Sequence, residues 1–114
     1  MAKVYISNLV IYTGTKFEQT FVLEDTQTNS VMDLTGYNGC AQIKRYESSK
    51  KTADFTVSFA NDRTKGRITI TMLDTVTGPL KAGKYFYDIL INSPAGITTR
   101  VVEGVATVKQ SVTR

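Results

Sequence analysis

Apolar residues in this chain recur at every second position over several stretches, and that spacing limits the fold more than any other feature. Phe55, Val57 and Phe59 alternate with Thr56 and Ser58, while Ile68, Ile70 and Met72 alternate with Arg67, Thr69 and Thr71. A strand sends successive side chains to opposite faces and a helix does not, so each run reads as a strand with one dry face. Enrichment in β-branched and aromatic residues extends the reading to Val4–Tyr12, Phe17–Leu23, Tyr37–Tyr46, Lys84–Asn92, Ile97–Glu103 and Val105–Lys109. The pattern gives about eight or nine short strands.

Turn chemistry fills the gaps, at Gly14, Thr26 to Ser30, Ser48 to Lys51, Asn61 to Arg63 and Ser93 to Gly96. Pro79 and Pro94 both lie outside the strand runs, where a missing N–H does no harm. Leu73–Leu80 is expected to form one short helical turn, capped by Asp74 and stopped by Gly78-Pro79. No linker or internal repeat interrupts the 114 residues, so 1–114 is expected to be one all-β domain. Many strands without helical alternation leave an antiparallel sandwich or a small barrel, and a single immunoglobulin-like antiparallel β-sandwich is favoured. The segment Leu80-Lys81-Ala82-Gly83-Lys84-Tyr85-Phe86-Tyr87 supports that choice. It reads as a tyrosine corner, in which the Tyr85 hydroxyl bonds back to upstream backbone after Gly83, with Tyr87 on the same face. An aromatic binding platform is the competing reading of Tyr85, Phe86 and Tyr87, but aromatic clusters mostly fill cores.

The absence of His removes the commonest acid–base residue at neutral pH, and a single Cys removes any intrachain disulfide and most zinc sites. Common nucleophilic triads cannot be assembled without His. Cys40 sits in a strand-like run with nothing to lower its pKa, and it is expected to be a small packed residue in a protein made in a reducing cytosol. Asp88 and Glu103 are the most interesting acids, since both fall inside strands; they are expected to face outward or to pair with Arg100 or Arg45 rather than to catalyse. Asp25, Asp33 and Asp74 are too scattered for a calcium loop, and the glycines form no nucleotide-binding pattern. No cofactor, metal or enzymatic activity is expected. The N-terminus lacks a signal-peptide pattern, and no apolar run approaches the ~20 residues of a membrane helix, so no membrane partner is expected.

Net charge is +4, and the excess lies between Lys44 and Arg67. Seven basic residues there, Lys44, Arg45, Lys50, Lys51, Arg63, Lys65 and Arg67, face three acids, Glu47, Asp54 and Asp62. With Tyr46 and Phe55 nearby, this could neutralise phosphates and stack bases. A hairpin, however, puts Lys50 and Lys51 at one end and Arg63 and Lys65 at the other, so solubility is the better reading and no specific nucleic acid is expected. The same seven cations, with Asn92–Gly96 second, form the candidate surface for contact with a protein partner.

Gly14-Thr15-Lys16-Phe17-Glu18-Gln19-Thr20-Phe21-Val22-Leu23, Asp33-Leu34-Thr35-Gly36-Tyr37 and Gly66-Arg67-Ile68-Thr69-Ile70 occur in that order, followed by Gly83-Lys84-Tyr85-Phe86-Tyr87-Asp88-Ile89, Val102-Glu103-Gly104 and Val112-Thr113-Arg114. Taken together, almost the whole chain resembles small structural proteins of tailed bacteriophages with an immunoglobulin-like β-sandwich domain. The resemblance implies a non-enzymatic virion component made in the host cytoplasm. It would be a multicopy protein–protein interaction module, homo-oligomeric or bound to other virion proteins, in the tail, baseplate or neck, or alternatively a capsid decoration protein. A host-surface carbohydrate-binding module is a further alternative; six Tyr but no Trp weaken it.

Overall fold

The computed structural model describes residues 4–25, 30–45 and 51–111, with 51 and 52 described by backbone alone. Among these residues lie eight strands: β1 Tyr5–Ile6, β2 Leu9–Tyr12, β3 Phe17–Val22, β4 Asn38–Lys44, β5 Lys51–Phe59, β6 Arg67–Met72, β7 Gly83–Asn92 and β8 Thr98–Lys109. A 3₁₀ turn, Arg63–Lys65, precedes β6, and one short helix, α1 Asp74–Thr77, follows it. The fold is thus mostly β.

The strands form one hydrogen-bonded path in the order β1-β8-β7-β4-β5-β6-β3, with β2 also paired to β8. β5 is the strand that bends the path. Its residues up to Phe55 pair with β4, and from Thr56 onward it pairs with β6. The sheet therefore curls, and the inward side chains of its two halves meet. Ile43, Ile89, Ile91, Val102 and Val108 come from one half, Ile68, Ile70 and Met72 from the other, and all are essentially inaccessible to water. At β4 the two halves approach closely. A side chain at Gly39 would come within 2.9 Å of the Val57 methyl and 3.4 Å of the Phe59 ring, so a larger residue there would have to push Val57 aside.

Three sequence expectations are corrected in the strands. The sheet is mixed rather than antiparallel, because β1 and β2 both run parallel to β8. Val4–Tyr12 is broken at Ser7-Asn8. In contrast, the two closing strands expected on either side of Gly104 are one continuous strand, β8, whose ladder with β7 runs through that glycine. The helical turn is where the sequence placed it, but Asp74 does not cap it. Leu73 occupies the N-cap without a side-chain bond, and Asp74, the first helical residue, accepts the N–H of Thr75 at 2.9 Å.

The loops are pinned by short-range polar contacts. Asp33 and Asp62 each accept a hydroxyl and an N–H from the threonine two residues on, Thr35 and Thr64. Those bonds, the hydroxyl first, hold both carboxyls below the usual aspartate range.

Candidate functional site

β7 alternates strictly between buried Tyr85, Tyr87, Ile89 and Ile91 and outward Phe86, Asp88 and Leu90. Its neighbours carry that outer face sideways. Gln42 of β4 is paired with Asp88, which is paired with Glu103 of β8, which is paired with Ile6 of β1. Flanking this row are Lys44–Phe86–Val105 on one side and Cys40–Leu90–Arg100 on the other. On this face lies an open groove of about 690 Å³, lined by apolar Ile6, Phe86, Leu90 and Val105 around polar Gln42, Lys44, Asp88, Arg100 and Glu103.

An irregularity in β8 assembles the charged centre. In an uninterrupted strand, residues three apart point to opposite faces. Between Leu90↔Arg100 and Ile89↔Val102 the register shifts by one residue, and Val101 and Val102 are both fully buried. This β-bulge returns Arg100 and Glu103 to the same outer face. Arg100 Nε then lies 3.3 Å from Asp88 Oδ2 and its Nη1 lies 3.6 Å from Glu103 Oε2. The three side chains remain 36 to 53% exposed, so their polar edges stay open to a ligand. Ion pairs this wet contribute little to stability. What they supply is proximity: two carboxylates and a guanidinium are gathered in the groove that Phe86 also lines.

The groove floor depends on Gly104. A Cβ there would overlap the carbonyl of Ser7, at the break between β1 and β2. That break is tied down on three sides. Ser7 N–H donates to Glu103 O at 3.0 Å, Val105 N–H donates to Asn8 Oδ1 at 3.2 Å, and the buried Tyr87 hydroxyl donates to Ser7 O. Burial pushes the Tyr87 phenol up to about 12.

Of the residues singled out in the sequence, Tyr85 makes a hydroxyl bond to upstream backbone. Its hydroxyl donates to Lys81 O at 2.8 Å, four residues upstream of a ring that is almost wholly buried, just after Gly83 opens β7. Tyr87 shares its inner face. The basic residues are dispersed. Lys44 lines the groove; Arg45 stacks on the Tyr85 ring at 5.0 Å. Arg63 stacks on Phe59 at 4.3 Å and donates to Tyr37 O at 2.6 Å, so it pins a loop. Lys65 and Arg67 are exposed at the far end of β5, while Lys50 and the side chain of Lys51, like Tyr46 and 112–114, lie outside the described residues. Cys40 corrects its expectation. It is exposed on the outer face, since Ala41 and Ile43 take the buried positions of β4. Among the described residues no group of three or more metal-ligating side chains comes together, and no helix is long and apolar enough to cross a membrane.

No family model and no curated protein matches the chain. Among solved structures, the chain is similar to a point mutant of the SrpA adhesin from Streptococcus sanguinis, with a TM-score of 0.52 and 16% identity. The match covers 97% of this chain and 57% of the adhesin chain, so this protein spans little more than half the length of that structure. At this identity the likeness is one of fold.

Proposed function

We propose that the chain is a non-enzymatic recognition domain that binds glycans in the outer-face groove of β4, β7 and β8. The observation that carries this is the Arg100–Asp88–Glu103 cluster beside Phe86. A sugar ring offers hydroxyls that both donate and accept, together with an apolar C–H face. Planar carboxylate, guanidinium and amide groups match the first, and an aromatic ring matches the second. Phe86 supplies the stacking surface in a chain without Trp. The similarity to an adhesin supports the reading at the level of fold, and an immunoglobulin-like sandwich with β5 passing between its layers is the finer architecture that the Tyr85 corner favours.

The test is binding to a glycan array by wild type, Arg100→Ala, Phe86→Ala and, as a distant control, Lys65→Ala. The expected result is binding by wild type and Lys65→Ala, with at least roughly tenfold loss in the two groove variants, the size of one or two lost polar or stacking contacts. No binding on a densely displayed array, or equal binding by all four proteins, rejects the proposal.

A second reading, a multicopy bacteriophage virion component, rests on the sequence resemblance and on the sheet edge at β3. It predicts that the protein co-purifies with particles from infected cells.

A further inference from the structure

The path of strands ends at β3, and its outer edge is the place where the fold is least finished. The direction of each main-chain group there follows from its hydrogen bonds. Leu23 N–H donates to Gly66 O at 2.7 Å, and β3 pairs with β6 from Phe17↔Met72 to Val22↔Arg67 without a register shift. In an antiparallel ladder the bonded residues alternate, so the odd-numbered residues of β3 face β6. The rule continues past the strand, where Met32 N–H donates to Leu23 O and Asp25 N–H donates to Ser30 O. The N–H and C=O groups of Glu18, Thr20, Val22 and Glu24 therefore point away from the sheet. Among the described residues no main-chain group pairs with them, and the Thr20 carbonyl receives only a long contact, 3.5 Å, from its neighbour's Gln19 Nε2.

Exposed edges are normally blunted by Pro, by bulges, by inward charges or by shortness. The opposite edge follows that rule: β1 and β2 are broken at Ser7-Asn8, and the Tyr12 carbonyl is already taken by the Thr15 hydroxyl at 2.8 Å. β3 has no Pro, no bulge and, within the strand, Glu18 as its sole charge.

We propose that β3 pairs antiparallel with β3 of a second copy of this chain, about a two-fold axis at Thr20. The strand is self-complementary in that register. Thr20 meets the partner's Thr20, and each Glu18 meets the partner's Val22, which gives about six new main-chain bonds. Just beyond the strand, each Lys16 lies opposite the partner's Glu24, so the ends carry two opposite-charge pairs and no like-charge pair. The outward side chains suit such an extension. Thr20 already bonds Thr69 at 2.9 Å across β3 and β6, and Ser58 follows on β5, so the paired sheets continue one hydroxyl row. In the single chain Lys16 sits 3.6 Å from Glu18, and Glu24 hydrogen-bonds Tyr5; neither contact uses the open main-chain groups.

Sedimentation equilibrium up to roughly millimolar protein tests this, because that range captures dimers held by even about 4 kcal/mol. The wild type should dimerise. Thr20→Pro removes an N–H that points to solvent in the single chain, a position where an edge strand tolerates Pro, so it should stay folded and become monomeric. Lys16→Glu should raise the dimer dissociation constant by roughly tenfold, by setting like charges opposite each other twice, and adding Glu24→Lys should recover most of it. A wild type that stays monomeric overturns the proposal. So does a dimer that survives Thr20→Pro, or a Lys16→Glu defect that Glu24→Lys does not rescue. Should Thr20→Pro fail to fold, the charge exchange alone decides.

Discussion

Replacing Tyr87 by Phe tests the tie beneath the groove, because the hydroxyl does two separable things. It donates to Ser7 O, holding the β1–β2 break over Gly104, and it sits in a site dry enough to push its ionisation up to about 12 from the usual 10.0. Loss of the hydrogen bond at neutral pH should cost about 1 to 1.5 kcal/mol, the net worth of one such bond with its acceptor left behind. The ionisation works in the opposite direction at high pH. Between pH 10 and 12 the unfolded phenol has lost its proton while the folded one keeps it. The unfolded chain binds fewer protons there, so stability is complete below pH 10 and falls as pH rises. At about pH 11 the unfolded state gains about 1.4 kcal/mol from an ionisation that the Phe variant lacks. Wild type should therefore be more stable than Tyr87→Phe by about 1 to 1.5 kcal/mol at about pH 8, and by almost nothing at about pH 11. Urea unfolding of both proteins at the two pH values measures this. Lysines and the other tyrosines cancel in the difference. A gap between the variants that is equal at both pH values would show that the Tyr87 phenol is not kept neutral by burial, and the account of this tie would fail.

Two further outcomes follow from the same framework. Tyr85→Phe should lower stability by about 1 kcal/mol, seen as a melting temperature roughly 3 to 6 °C lower, while leaving the outer face unchanged; an unaltered melting curve would mean that the Lys81 bond does no holding. Gly104→Ala should cost about 1 to 3 kcal/mol, because the new methyl overlaps the Ser7 carbonyl and pushes β1–β2 off β8. Hydrogen exchange should then accelerate at Ser7 and Val105, and unchanged protection there would count against the role given to this glycine.

The strands of the core were legible because their burial has period two. Phe55, Ile68, Ile70 and Met72 are buried as the alternation demands, and Tyr85 bonds upstream as its place after Gly83 suggested. Cys40 was misplaced because residue type outweighed parity. A thiol is usually packed, yet Ala41 and Ile43 claim the inner face of the same strand and force Cys40 outward. Parallel pairing of β1 and β2 with β8 left no local trace, since pairing partners separated by about a hundred residues are chosen by tertiary packing. The groove was half visible. Asp88 and Glu103 were expected to face outward or to pair with Arg100 or Arg45, and period two puts Phe86 on the face of Asp88, but nothing gathered Arg100 and Glu103 on that face, because the bulge that orients β8 is a single extra valine. Its trace is the sequence Arg100-Val101-Val102-Glu103, where two apolar residues stand between two charges and period two fails.

The groove and the β3 edge share no residue, and that division bears on how weak contacts become useful ones. The groove is open and its charged groups are one-third to one-half in water, so each contact inside it is discounted by solvent and a single site binds weakly. β3 lies at the end of the path, with β6 and β5 between it and β4. Pairing through β3 uses no residue that lines the groove, so the two sites of the proposed dimer can act together. Two sites on one rigid body turn the second capture into an intramolecular event, and on a repetitive surface that raises retention by about 10²- to 10⁴-fold without any new contact in the groove. Arg100→Ala should then weaken binding to a free ligand and to a dense surface alike. Thr20→Pro should leave the free-ligand affinity untouched and release the protein from the dense surface, which is the pattern that separates a damaged site from a lost partner.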